Sequence, residues 1–201
     1  MHSFPEPIEK TLKELSRLPG VGKKSAMRIL YHLLKSGGSA IEDLEGALKL
    51  LRENIEKCRT CRGYKEKGSD CPICGDPKRD PGLLCVVEST QDLHLIDGTS
   101  AFNGSYFVLH GLLSPFKGIG PEALGLDEFR ERLENEAVSE VIIATPYTAE
   151  GEATSSYLIT ITEEKGIKAS RIGMGIPIGS DLSFVDPETL SRALSGRREV
   201  K

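Results

Sequence analysis

Apolar residues recur along this chain first at helical and later at strand spacing, and the change of period divides it. Ile8, Leu12 and Leu15 lie about one turn apart and predict a first helix. Leu18-Pro19-Gly20-Val21-Gly22 breaks the run, and Ala26, Ile29, Leu30, Leu33 and Leu34 resume it on a second helix. Ser36-Gly37-Gly38-Ser39 ends that helix, after which Ile41, Leu44, Leu48, Leu51 and Ile55 mark a third. Residues 58–80 are polar and punctuated by cysteines. Beyond them, the runs 83–87, 106–109 and 141–144 are rich in β-branched, aliphatic or aromatic residues and predict strands, whereas 91–97, 127–137 and 152–164 have helical spacing. Strands that alternate with helices imply βαβ units and a mostly parallel sheet. The segment 110–125 is long and rich in Gly and Pro, which marks a functional or partner-facing loop. The expected class is a multi-domain chain of α+β and α/β type, divided at 1–57, 58–80, 81–170 and 171–201.

Composition adds a few bounds. Of 201 residues, 38% are hydrophobic and 28% charged, which suits a soluble globular chain with a real core. No run approaches the roughly 18 consecutive apolar residues of a membrane-spanning helix. Met1-His2-Ser3-Phe4-Pro5-Glu6 lacks the basic and apolar regions of a signal peptide, so a cytoplasmic location is expected. Charge is unevenly spread: residues 1–80 carry 16 Lys and Arg against 12 Asp and Glu, and residues 81–201 carry 10 against 18, within a net charge of −4. Residues 10–28 set Lys10, Lys13, Arg17, Lys23, Lys24 and Arg28 against Glu14 alone. A basic front on an acidic body suits one end that binds polyanions and another that repels them, unless both are merely solvated helix faces.

Three constellations carry chemistry. Cys58-x2-Cys61-x9-Cys71-x2-Cys74 makes two knuckles, each able to turn both thiolates toward one ion, and together they complete a tetrahedron. Four thiolates leave no position for water, so the predicted ion is one structural Zn²⁺ per chain, which contributes folding free energy to a segment too short for its own core. Cys85 falls inside an apolar run and reads as a small buried hydrophobe.

The second constellation is Leu18-Pro19-Gly20-Val21-Gly22-Lys23-Lys24-Ser25, a glycine hairpin between two helices. Gly20 and Gly22 can take positive φ and admit a phosphate close to the backbone. The free amides that open the second helix point at that anion, with Lys23 and Lys24 beside them and Arg28 one turn on. Such a helix-hairpin-helix grips DNA backbone without reading sequence. Its spacing is not that of a P-loop. Gly118-Ile119-Gly120-Pro121 lacks flanking basic helices and reads as a turn.

The third is acidic. Glu88 follows the first predicted strand, and Glu150 and Glu152 follow the third. Ligands of parallel sheets sit outside the carboxyl ends of the strands, so these groups either converge there on Mg²⁺ or simply favour helix N-termini by their charge.

In the order of these motifs the chain resembles the bacterial RecR family. The match runs through the hairpin, the four cysteines, Val86-Val87-Glu88-Ser89, Glu150-Gly151-Glu152-Ala153-Thr154 and the late run Arg171-Ile172-Gly173-Met174-Gly175-Ile176-Pro177-Ile178-Gly179. The resemblance implies a non-catalytic recombination mediator built from a helix-hairpin-helix (1–57), a four-cysteine zinc motif (58–80), a Toprim-like domain (81–170) and a Walker-B-like C-terminal tail that contributes an oligomer contact (171–201). Members of this family form dimers that pair into ring-like tetramers and, with RecO and RecF partners, load RecA at gaps covered by single-strand-binding protein. It further implies Gly20, Gly22, Lys24 and Arg28 as contacts to single- and double-stranded DNA, to which the residue reading adds Lys23, and Glu88, Glu150 and Glu152 as an acidic face for partner proteins. Topoisomerases that share the Toprim pattern carry Asp-x-Asp before their Glu-Gly-Glu. Here Pro146 and Thr148 stand at those positions, and no tyrosine nucleophile is evident, although Tyr147 lies nearby. The run 176–186 has no Walker A partner, so no ATP hydrolysis is expected. A Toprim nuclease using the three glutamates, and a protein-only adaptor whose basic hairpin is an oligomer contact, are the competing readings.

Overall fold

The computed structural model describes residues 4–135 and 137–197. The chain divides into two compact units, Met1–Ile55 and Glu56–Lys201.

The first unit is three helices: α1 (Glu6–Leu15), α2 (Lys23–Lys35) and α3 (Ser39–Asn54). Pro5 and Pro7 open α1, where a missing amide is harmless. Between α1 and α2 the Val21 amide bonds the Leu18 carbonyl at 3.0 Å, and Gly20 takes φ +76°, a left-handed turn that suits glycine. Ala26 and Leu30 are the buried residues of α2, whereas Leu44, Leu48 and Leu51 along α3 are exposed. Ile55 departs from its predicted helical place: its backbone is extended, and it opens β1 (Ile55–Lys57), which pairs with β2 (Tyr64–Glu66) in a short ribbon.

The second unit is built on β3 (Asp80–Val87), β4 (Gly104–Val108), β5 (Glu140–Ala144) and β6 (Lys168–Arg171), all parallel and ordered β4-β3-β5-β6. The helices α4 (Thr90–Gly98), α5 (Leu126–Asn135) and α6 (Ala149–Glu164) connect successive strands, and α7 (Pro187–Ser195) follows. Side chains alternate across the sheet. Leu84, Val86, Phe107 and Ile143 join Phe129 and Leu133 of α5 and Leu158 and Ile161 of α6 in one core. Cys85, Val87, Tyr106 and Val108 face the other way, toward Leu93 of α4. Cys58, Cys61, Cys71 and Ile73 complete this second core, so the cysteine loop packs on the sheet instead of standing as a separate module.

Some elements differ from their sequence expectation. Helix α6 begins at Ala149, three residues before the expected start, because Thr148 caps it by accepting the Gly151 amide at 3.1 Å, and Glu150 and Glu152 fall in its first turn, where the second of the two readings put them. The helix predicted to Ala137 ends by Asn135, and Glu136 lies outside the described residues. The segment 110–125 folds into two 3-10 turns, Pro115–Lys117 and Glu122–Leu124, and is anchored by fully buried Leu124. Within it Gly118 turns as expected, with φ +67°.

Candidate functional site

The hairpin leaves the start of α2 open. The first bond of the helix runs from the Ala26 amide to the Gly22 carbonyl at 2.9 Å, so the amides of residues 23–25 precede the helical ladder. Gly22 is the N-cap, offers no side-chain bond, and no acidic residue follows in the first turn. The positive end of the helix dipole is thus uncompensated by the helix's own cap or first turn. Gly22 is extended, with φ −76°, not left-handed like Gly20. It serves through lack of bulk: a Cβ built on either glycine would meet nothing within 4 Å, so the turn faces open space. Lys23, Lys24 and Arg28 are exposed. On α1, Lys10 pairs with Glu6 at 2.7 Å, and just beyond the helix Arg17 pairs with Glu14 at 3.0 Å. Among the described residues no such partner meets Lys23, Lys24 or Arg28.

The four cysteines converge. Their Sγ atoms lie within 4.8 Å of one another, with Cys61 and Cys71 at 3.6 Å and Cys58 and Cys74 at 3.9 Å. Metal–sulfur bonds of about 2.3 Å in a tetrahedron place sulfurs about 3.8 Å apart. The knuckles close through Arg62 N–H to Cys58 O at 2.9 Å and Gly75 N–H to Cys71 O at 2.8 Å, with Arg62 left-handed at φ +62°. Crowding splits the thiols. The Cys74 thiol beside it pulls Cys61 down to about 5, while Cys74 itself is driven up by the same contact and by burial, and burial raises Cys71. Four soft sulfur donors converging in this geometry fit a thiophilic divalent ion. Cys85 stands apart on β3, its thiol pushed up to about 12 by burial, as suits a small hydrophobe.

Backbone and arginine contacts fasten this loop to the sheet edge. Val108 N–H of β4 donates to Cys61 O at 2.9 Å. Arg132, buried on α5, donates through Nη1 to Tyr106 O at 2.6 Å and Thr60 O at 3.3 Å. Arg62 lies 5.4 Å over the Phe107 ring and donates to Leu124 O at 2.6 Å. His110 Nε2 sits 2.7 Å from Arg62 O, which only accepts, so that nitrogen carries the proton. Burial lowers the His110 pKa, favouring the neutral ring. None of these contacts had a local signal in sequence, because each links residues far apart in the chain.

The carboxyl ends of β3, β4 and β5 are in register, Val87 beside Val108 on one side and Ala144 on the other. β3 leads toward β4 and β5 toward β6, on opposite sides, which makes the gap between them a topological switch point. A crevice of about 280 Å³ opens there between Glu88, Asp92, Leu95, Thr145, Tyr147 and Ile172. Burial raises the Glu88 pKa, and the charge of Asp92 raises it further. Among the described residues, the four cysteines are the group whose ligand atoms converge, and the three glutamates are not brought together in that way. Glu152 instead faces Arg171 at 2.7 Å and Arg192 of α7 at 3.8 Å. These arginines also flank the Tyr147 ring, at 4.0 and 5.7 Å from its centroid, while the Tyr147 hydroxyl donates to Ile172 O. Pro146 and Thr148, at the Asp-x-Asp positions, have structural work of their own. The Pro146 carbonyl accepts from Arg171 and lies so near Gly151 that a Cβ there would collide with it, and Thr148 is the cap of α6.

In the run 176–186, Asp181 accepts from the Ser183 amide at 2.9 Å and hydroxyl at 2.8 Å. Asp186 caps α7 through the Thr189 amide at 3.0 Å and hydroxyl at 2.6 Å. Those bonds hold both carboxyls below the usual range.

Comparison with known proteins covers the same regions. The family model described as RecR, helix-hairpin-helix matches residues 8–51, the Toprim domain model matches 82–173, and RecR, C-terminal matches 175–198. The chain is 44% identical to Recombination protein RecR of Anaeromyxobacter sp. (strain Fw109-5), over 97% of this chain and 98% of that protein. It is 47% identical to the protein of the same name from Magnetococcus marinus, over 96% of each, and 40% identical to that of Myxococcus xanthus, over 98% and 99%.

Proposed function

The chain belongs to the RecR family of recombination proteins, and on that premise we propose that it holds DNA as a recombination mediator and does not itself cut or join it. The hairpin takes the phosphate backbone of single- or double-stranded DNA irrespective of sequence, with the amides of residues 23–25 approached past Gly20 and Gly22 and with Lys23, Lys24 and Arg28 around them. The observation that carries this reading is the uncapped start of α2 ringed by exposed, unpaired cations. Zn²⁺ in the Cys58, Cys61, Cys71 and Cys74 cluster is structural, holding the loop against β4.

The acidic end of the Toprim sheet serves as a face for RecO- and RecF-type partners, through which the protein promotes RecA loading at single-strand gaps in the cytoplasm. Glu88 and Glu150 present charge there, while Glu152 is largely neutralised by Arg171. A binding role is favoured over catalysis because Pro146 and Thr148 offer no anionic ligand and Thr148 is occupied as a cap. Self-association into dimers and tetramers is supported by the exposed apolar stripe Leu44, Leu48 and Leu51, which gains by leaving water against a second copy.

The test incubates the chain with labelled gapped DNA, Mg²⁺ and ATP, reading anisotropy across a salt series and then a denaturing gel. Binding that weakens with salt, intact strands, and a loss of affinity for every sequence in Lys24→Glu are expected. Cut strands that become intact in Glu88→Gln would instead establish the nuclease reading.

A further inference from the structure

The cations of α2 do not stop at its first turn. The helix contains no acidic residue, and Lys24, Arg28, His32 and Lys35 succeed one another along it at intervals of four or three residues. At 3.6 residues per turn, these four and Tyr31 fall within an arc of roughly 100°, opposite the buried Ala26 and Leu30. The row spans about 16 Å at 1.5 Å per residue. Among the described residues none of Lys24, Arg28, His32 and Lys35 has an acidic partner, in contrast with Lys10 and Arg17, which pair with Glu6 and Glu14. An open depression of about 670 Å³ lies over this face, lined by Ser25, Arg28, Ile29, Tyr31, His32 and Lys35 of the helix itself. Tyr31 is 50% exposed in the middle of that row.

An aromatic ring left half in water on a charged face has only part of its surface covered by its own helix unit. Rings placed along a cationic track are how proteins hold single strands: the cations follow the phosphates, and the ring receives a base. In a duplex the base faces are already stacked on one another, so such a ring finds no partner there. We propose that the outer face of α2 is a single-strand track in which Tyr31 stacks on one unpaired base while Arg28, His32 and Lys35 follow its phosphates. This rests on the hairpin being a DNA contact and adds to it a preference that the hairpin alone does not confer.

The test uses the full chain and three labelled probes of equal length: oligothymidylate, an abasic single strand, and a duplex. Tyr31→Ala should weaken oligothymidylate binding about tenfold, the scale of one lost base stack, with less than a twofold change on the abasic strand and the duplex. Tyr31→Phe keeps the ring and should bind like the parent, which separates stacking from misfolding. An unchanged affinity for oligothymidylate in Tyr31→Ala, or an equal loss on all three probes, overturns the stacking site. Lys24→Glu, run in parallel, tests the hairpin by itself. A loss on all three probes with Tyr31→Ala silent leaves the hairpin standing and removes the stack; a base-dependent loss in Tyr31→Ala with Lys24→Glu silent does the reverse.

Discussion

Arg171, the last residue of β6, places Nη1 2.7 Å from the Glu152 carboxylate in the first turn of α6 while its guanidinium lies 4.0 Å over the Tyr147 ring. The pair joins the Toprim sheet to the tail, because Arg192 of α7 approaches the other Glu152 oxygen and lies 5.7 Å from the centroid of the same ring. Arg171→Ala should cost about 1–2 kcal/mol, since it strands a partly buried carboxylate and removes the stack. Glu152→Gln should cost less, because the stack on Tyr147 survives. Amide exchange across Pro187–Ser195 should quicken in Arg171→Ala; unchanged exchange there would mean that α7 is held by something else.

Metal removal should reach the sheet as well as the cysteine loop. Cys58, Cys61 and Cys71 share a core with Val87, Tyr106 and Val108, and the Cys61 carbonyl receives the Val108 amide. One zinc per chain should be released by a chelator, with several kcal/mol of stability lost and exchange protection falling at Val108. Cys61→Ser should reproduce both effects. Protection at Val108 that outlasts the zinc would show that loop and sheet fold independently.

Arg132 is a buried tie between two parts of the chain, donating to both Thr60 O and Tyr106 O. Arg132→Leu should destabilise by about 2–3 kcal/mol, since the buried Tyr106 carbonyl and the more exposed Thr60 carbonyl lose a charged donor. Denaturant melts would detect this as a lower midpoint at an unchanged slope.

The acid at the switch point sets a pH dependence of definite sign. Burial and Asp92 raise the Glu88 pKa above its unfolded value of about 4.3. Any stability from this group is therefore fully present below the unfolded pKa and is lost as pH rises through the raised folded one. Glu88→Gln should melt higher than the parent at pH 7.5, by less than about 1 kcal/mol, and the gain should vanish toward pH 4. A gain that is equal at both pH values would point to packing instead of charge.

What could be read without coordinates was whatever a few neighbouring residues decide. The three N-terminal helices, the strands around 83–87, 106–109 and 141–144, and the left-handed Gly20 all follow from spacing over a turn or two. The cysteine cluster was equally legible, since two residues between paired thiols are enough to bend each knuckle. Strand β6 was missed because Lys168-Ala169-Ser170-Arg171 has no apolar run and owes its place to pairing with β5. Helix α7 had a local signal that went unused: Asp186-Pro187-Glu188 is a cap, a proline at N1 and an acid in the first turn.

The sequence by itself determined the N-terminal helices, the apolar strands, the cysteine cluster and the open, basic start of α2, because those depend on dihedral preferences and on charges a few residues apart. Only the tertiary structure decided that the cysteine loop shares a core with the sheet, that Glu152 meets Arg171 instead of a cation, and that Asp181 and Asp186 are occupied as caps. The physical reason is that a carboxylate or thiol has no fixed role along the chain. Its role is set by whichever donor, cation or apolar surface the fold carries within reach, and partners separated by dozens of residues leave no periodic trace.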